Sequence, residues 1–433
     1  MIERVRSRAM LAELGRYVVA DPMPFAVDLA GSQGRWLATV DGDRLFDWCG
    51  MYASRLLGYN HPRLAAPEYV GRLVRAANAK LCNPDFLTAE CLDYYRLVHE
   101  LAPRCMRNAR LEVYAVNSGA EAVENLMKYL INLHDQKLQA LGREPGTRRF
   151  LYFDQAFHGR TIFALNVTQM DDPVATKDFH GFIPGNLRVP FPAVNGDASA
   201  AENRSRTVRA LADVDAMLAR YPGEVVGIIV EPIQGAGGHR VAEAAFFRGL
   251  SELAHRHGVY LGFDEVQTAG GQCGEFFAVD LFDLPYPPAA VAAAKKLGNG
   301  VIYMLHPMSD EGVLDSTWGG SLADMVRFVE EMRIVRDERL LEAVPDKAMR
   351  LADGLDALVR RFPGTFSNRR GLGLYQGFSL PDAAAKAAFL VRAREQEQLL
   401  LLGAGVQSVR LRPPLDVTDG EIDDLLARLA RLA

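Results

Sequence analysis

Cysteine is scarce in this chain. The five present (Cys49, Cys82, Cys91, Cys105, Cys273) are odd in number and include no C-x-x-C pair. That pattern argues against a disulfide framework and against a zinc site, and it points to a reducing compartment. Long apolar runs are missing too: none approaches the roughly eighteen residues that a helical membrane span needs. The opening stretch MIERVRSRAMLAEL carries Arg and Glu where a secretory signal would be apolar, so a cytoplasmic location is expected. Positive charge is not in excess, with 49 Lys and Arg against 54 Asp and Glu, a net charge of −5 and no basic stripe. Nucleic acid and anionic membranes are therefore poor partners, and a small molecule is the better one. Internal repeats and low-complexity tracts are absent as well. What remains is an ordinary globular composition over 433 residues, too long for one typical domain.

Strands and helices alternate along the middle of the chain. Gly34–Cys49 reads as a hairpin around Asp41-Gly42. Leu111–Val116, Arg149–Phe153 and the β-branched run Val225–Val230 read as strands, and Ala120–His134 and Phe246–His257 as helices with apolar residues at helical spacing. Phe191–Arg206 is rich in Pro, Ala, Asn and Ser and reads as irregular, followed by a helix over Thr207–Arg220. Gln234–Gly238 reads as a turn. Alternation of this kind predicts an α/β fold around a mainly parallel sheet. From about Ala323 through Arg360 the chain becomes long, charged and amphipathic, which marks a boundary. Strands near Leu372–Leu380 and Gln398–Gly403 and a last helix opened by a Thr418/Glu421 capping box follow.

Chemistry concentrates in VYLGFDEVQTAGG, Val259–Gly271. An apolar strand there delivers Asp264, Glu265 and Gln267 into a glycine-rich turn, and ligands of open α/β sheets bind beyond the carboxyl ends of the strands. A lone Asp-Glu pair can equally cap the next segment. About thirty residues on, AVAAAKKLGNG sets Lys295 and Lys296 among small apolar residues. A desolvated lysine there loses basicity and becomes nucleophilic, as Schiff-base chemistry requires. The spacing does not separate the two lysines. A buried acid that keeps a heterocyclic nitrogen protonated, with a Schiff-base lysine, is the signature of a pyridoxal 5'-phosphate (PLP) site. Asn117-Ser118-Gly119, between a strand and a helix, can take a phosphate dianion or form an ordinary N-cap. Phe157 can lie on a heterocycle or sit in the core, and Arg160 can grip a carboxylate or make a surface ion pair. Arg55 has two readings, a solvent-facing residue or a second carboxylate contact.

The segments NSGAEAVEN (117–125), FHGRT (157–161), EPIQGAGG (231–238), FDEVQT (263–268), KKLGNG (295–300), STWGG (316–320) and VRLRPPL (409–415), in this order, resemble the class III, ornithine aminotransferase-like, PLP-dependent aminotransferases of fold type I. Within them the chain is most similar to lysine 6-aminotransferases. The resemblance implies a large PLP-binding domain over 61–322, with a smaller α/β domain built from 1–60 and 323–433. It implies Lys296 as the Schiff-base lysine, Asp264 on the pyridinium nitrogen, Gln267 on the phenolic oxygen, and Val266 beneath the ring with Phe157 over it. Ser118, Gly119, Ala120 and His158 complete the cofactor set, and Thr317 reaches the phosphate of a neighbouring subunit in a homodimer. Tyr52, Arg160 and Arg410 face the substrate, with Arg412 supporting the loop. Ala236 stands where glutamate-using members carry an acid that neutralises the arginine at 410. The implied activity is ping-pong transfer of an amino group, a terminal one, to a keto or aldehyde acceptor. A racemase or epimerase on the same fold, or a silent PLP-fold binding protein, are the alternatives.

Overall fold

A computed structural model describes residues 4–79, 84–170 and 185–433; Cys82 lies outside them. Seven strands form the central sheet: β1 (Glu112–Val116), β2 (Arg149–Phe153), β3 (Leu187–Val189), β4 (Val225–Val230), β5 (Tyr260–Asp264), β6 (Ala290–Ala293) and β7 (Gly300–Met304). Their spatial order is β1-β7-β6-β5-β4-β2-β3. β7 runs antiparallel to β6 and β1, and the other pairs are parallel. Every residue of β4, β6 and β7 is buried, as expected for strands covered on both faces. One face is covered by the helix α1 (Gly119–Ala140), whose Val123, Leu126, Met127 and Leu130 are buried.

Register decides what meets at the sheet's carboxyl edge. Asp264, the last residue of β5, pairs with Ala292 of β6. β6 runs one residue further, to Ala293, and the lysines that follow it emerge near Asp264.

Two smaller sheets flank this layer. Val27–Gln33, Trp36–Thr39 and Arg44–Asp47 pair antiparallel, and Leu399–Leu400, from the far end of the sequence, adds to them in parallel. Ser367–Leu372, Tyr375–Ser379, Ser408–Leu411 and Leu402–Ala404 make an antiparallel sheet that carries Arg410.

Some elements depart from the sequence reading. The stretch expected to be irregular up to Arg206 is helical from Ala200, because Ser199 and Glu202 form a reciprocal capping box. The charged segment after Ala323 is two helices, Leu322–Asp337 and Val344–Arg361, separated where Arg339 adopts φ +52°. The expected turn at Gln234–Gly238 opens from a short hairpin, Ile233–Gln234 paired with Arg240–Val241.

Candidate active site

Consecutive carboxylates at the end of β5 point to opposite sides, as strand geometry dictates. Glu265 is fully buried, accepting hydrogen bonds from the Ala278 and Val279 amides (2.9 and 2.7 Å) and the Thr268 hydroxyl, and burial raises its pKa to about 7. It pins a loop. Asp264 instead lines a cavity of about 870 Å³. Its Oδ1 accepts the Val266 amide at 3.0 Å, and its Oδ2 lies 2.8 Å from Nδ1 of His158, whose Nε2 is buried without a partner. Glu231, at the end of β4, also lines the cavity and accepts the Phe157 amide at 2.9 Å. Burial, and secondarily the Asp264 charge, push its carboxyl well above the usual range.

The lysine pair divides in the same way. Lys295 adopts φ +54°, rare for a side-chain-bearing residue, and lines the cavity together with Asp264, Val266 and Phe157. Burial lowers its pKa and the nearby Arg410 lowers it further, while Asp264 opposes them. Lys296 is not among the cavity-lining residues. Its Nζ donates to the carbonyls of Gln267 (2.7 Å) and Ala53 (3.1 Å) and to the Tyr375 hydroxyl (2.9 Å). Lys295, and not the expected Lys296, therefore lines the cavity with Asp264. Successive side chains leaving β6 diverge, and the left-handed backbone at 295 gives the cavity to the first of them.

The family description "Aminotransferase class-III" matches residues 17–432. The chain belongs to the class-III aminotransferases. It is 34% identical to the L-lysine-epsilon aminotransferase of Amycolatopsis lactamdurans, covering 98% of this chain and 95% of that one. It is 28% identical to the mitochondrial 4-aminobutyrate aminotransferase of Mus musculus, covering 96% and 86%. Among solved structures, a lysine aminotransferase from M. tuberculosis superposes with a TM-score of 0.91 at 30% identity, covering 98% of both chains.

Class-III aminotransferases use PLP, and the residues of this aminotransferase fit it. The cavity brings together an amine (Lys295), an acid at the strand edge (Asp264), an aromatic cover (Phe157) and an apolar base (Val266). Gly119 and Ala120 line it at the start of α1, where free backbone N–H groups favour a phosphate. Glycine is required at 119, since a Cβ there would come 2.7 Å from Val266 Cγ1. Ser118, expected in the cofactor set, is exposed and does not line the cavity; its hydroxyl accepts the Glu121 amide at 3.2 Å as an N-cap.

Tyr52, Arg160, Ala236 and Arg410 line the same cavity. The Arg160 guanidinium lies 5.9 Å from the Phe157 ring centroid. Arg410 donates from Nη1 to the Gly235 carbonyl (2.9 Å), its Nε is buried without a partner, and among the described residues no carboxylate pairs with it. Thr317 is exposed and does not line its own chain's cavity. Arg55 takes neither role expected of it: it stacks on Tyr59 at 4.2 Å and donates to the Leu57 and Gly58 carbonyls. The sequence reading overlooked Tyr375, which sits in the fully buried strand Tyr375–Ser379. It placed Arg412 on the loop without its partner, Gln267, whose Oε1 accepts from Nη2 at 3.1 Å.

Proposed function

We propose that this aminotransferase removes the amino group from a terminal (ω) amine, holds it on the cofactor and passes it to a keto or aldehyde acceptor in a ping-pong cycle. The observation that carries this reading is the Lys295 amine, desolvated and beside Asp264, in a cavity that also holds two arginines. The names of the lysine-epsilon aminotransferase relatives support a terminal amine as donor.

When bound, PLP supplies an electron sink for the electrons left when the substrate carbon loses a proton. Lys295 would hold the cofactor through Nζ. The same nitrogen, when free, would take the proton from the substrate carbon and return it, a task suited to an amine whose basicity burial has lowered. Asp264 would keep the proton on the ring nitrogen, with His158 orienting that carboxylate. Gln267 would donate to the ring oxygen, and Phe157 and Val266 would hold the ring between them. Arg410 and Arg160 bind substrate carboxylates. Thr317 contributes to the phosphate site of a second copy, so the working unit is a homodimer. The division into 1–60 with 323–433 and a large domain over 61–322 is proposed on the same grounds. A cytoplasmic location is supported by the free thiols of Cys49, Cys105 and Cys273.

The direct test mixes the PLP form with L-lysine, ornithine or a terminal diamine before any acceptor is added. Conversion to pyridoxamine phosphate, one per site, is the expected result. Retention of the PLP form with all of them, together with racemisation of a single enantiomer, would overturn the reading.

A further inference from the structure

Lys296 and Arg412 are both buried, and among the described residues neither pairs with a carboxylate. Buried basic groups without anions are expensive while charged, and apolar residues of similar volume are often no worse for stability. Their contacts converge on one residue. Lys296 Nζ donates to the main-chain carbonyl of Gln267 at 2.7 Å, and Arg412 donates to its side-chain Oε1 from Nη2 (3.1 Å) and Nε (3.4 Å). The two cations also share Tyr375: Lys296 donates to its hydroxyl, and the Arg412 guanidinium lies 4.4 Å from its ring centroid. Arg412 Nη2 is anchored on its other side at 2.8 Å from His239 Nδ1, and burial and the Arg412 charge favour the neutral imidazole.

This arrangement fixes which way the amide faces. A guanidinium only donates, so the atom turned to Arg412 must be the oxygen, and Nε2 takes the other fork. Gly235 closes a further side, since a Cβ there would come 1.7 Å from Oε1. Among the described residues no acceptor takes Nε2, and Gln267 lines the cavity.

We infer that Lys296 and Arg412 are positioning residues that grip Gln267 by its backbone and its side chain and so present Nε2 as a fixed donor to the cofactor's ring oxygen. The inference rests on the reading of Gln267 as that oxygen's partner. Neither cation touches the reacting atoms. A fixed donor differs from a mobile one because it loses no freedom when the oxygen's charge develops.

The test uses the holoenzyme and reads the pH midpoint of the visible absorption change of bound PLP, which reports how well the ring-oxygen anion is stabilised. Arg412→Lys, which keeps the charge but loses the two-pronged contact, and Lys296→Met are each combined with Gln267→Ala. Each single substitution, Gln267→Ala included, is expected to raise the midpoint by about one unit, the scale of a lost hydrogen bond to a charged group. In the Gln267→Ala background neither of the other two should shift it further. Equal shifts in both backgrounds, or no shift from Arg412→Lys and Lys296→Met while Gln267→Ala moves the midpoint, would overturn the inference and leave the role of Gln267 standing. No shift from Gln267→Ala would overturn both. Should one variant not fold, the cycle through the other decides alone.

Discussion

Lys295 and Lys296 have the same chemistry and opposite surroundings, and their difference is measurable through protons. Burial lowers the Lys296 pKa from 10.5 to about 7. Between those values the unfolded chain binds the proton more fully than the folded one, so this lysine makes stability rise with pH across that window and fall as pH drops towards 7. The Tm of the native protein relative to Lys296→Met should therefore increase from pH 7 to pH 10, and a flat difference would contradict the burial. Ala236 offers a second test at this scale. It lines the cavity with Arg410, which has no carboxylate partner among the described residues. Ala236→Glu should compete for Arg410 and raise KM about tenfold, roughly 1.4 kcal/mol, for donors whose carboxylate Arg410 holds. A terminal diamine should be spared, and parallel kinetics on glutamate, alanine and the diamine would show it. An equal effect on all three would mean that Arg410 does not discriminate.

Among the elements, the turn Gly50–Ala53 carries the most strain. Its four residues have φ of 55°, 49°, 60° and 65°, a left-handed run that costs L-residues roughly 1–2 kcal/mol each. Asp47 holds it by accepting the Cys49 and Gly50 amides (2.8 and 3.1 Å), and Lys296 holds its far end at the Ala53 carbonyl. The turn brings Tyr52 to the cavity. A Cβ on Gly50 would come 2.3 Å from the Arg412 carbonyl, whereas Gly42, also at positive φ, has open space. Gly50→Ala should thus lower Tm and PLP affinity well beyond Gly42→Ala, and similar losses from the two would show that the crowding is unimportant. Such features were not legible in the sequence: neither the run over Met51, Tyr52 and Ala53 nor the positive φ of Lys295 leaves a compositional mark. The buried strands, the Thr418/Glu421 capping box and the Asp41-Gly42 hairpin were legible, because each is fixed by local pattern. The Ser199/Glu202 box had the same signal, and the polar composition around it obscured it.

At the scale of the whole molecule, the cavity is finished by parts distant in sequence. Arg410 arrives from a C-terminal sheet and Tyr52 from beside an N-terminal one, and Leu399–Leu400 pairs with Arg44–Asp47, a contact no local periodicity encodes. Tyr52, Thr317 and Trp318 are exposed on the single chain, which suits a second copy covering them. A dimer mass in sedimentation is expected, with weaker PLP binding in Thr317→Ala, and a monomer of full PLP affinity would remove Thr317 from the site. Which lysines can reach the cavity was visible in the sequence to within one residue, since KKLGNG leaves the choice to backbone conformation. The central claim is that Lys295 carries the cofactor. Reduction of the holoenzyme with borohydride, followed by peptide mass mapping, should find the pyridoxyl group on Lys295, with Lys296 unmodified; the label on Lys296 would contradict the account.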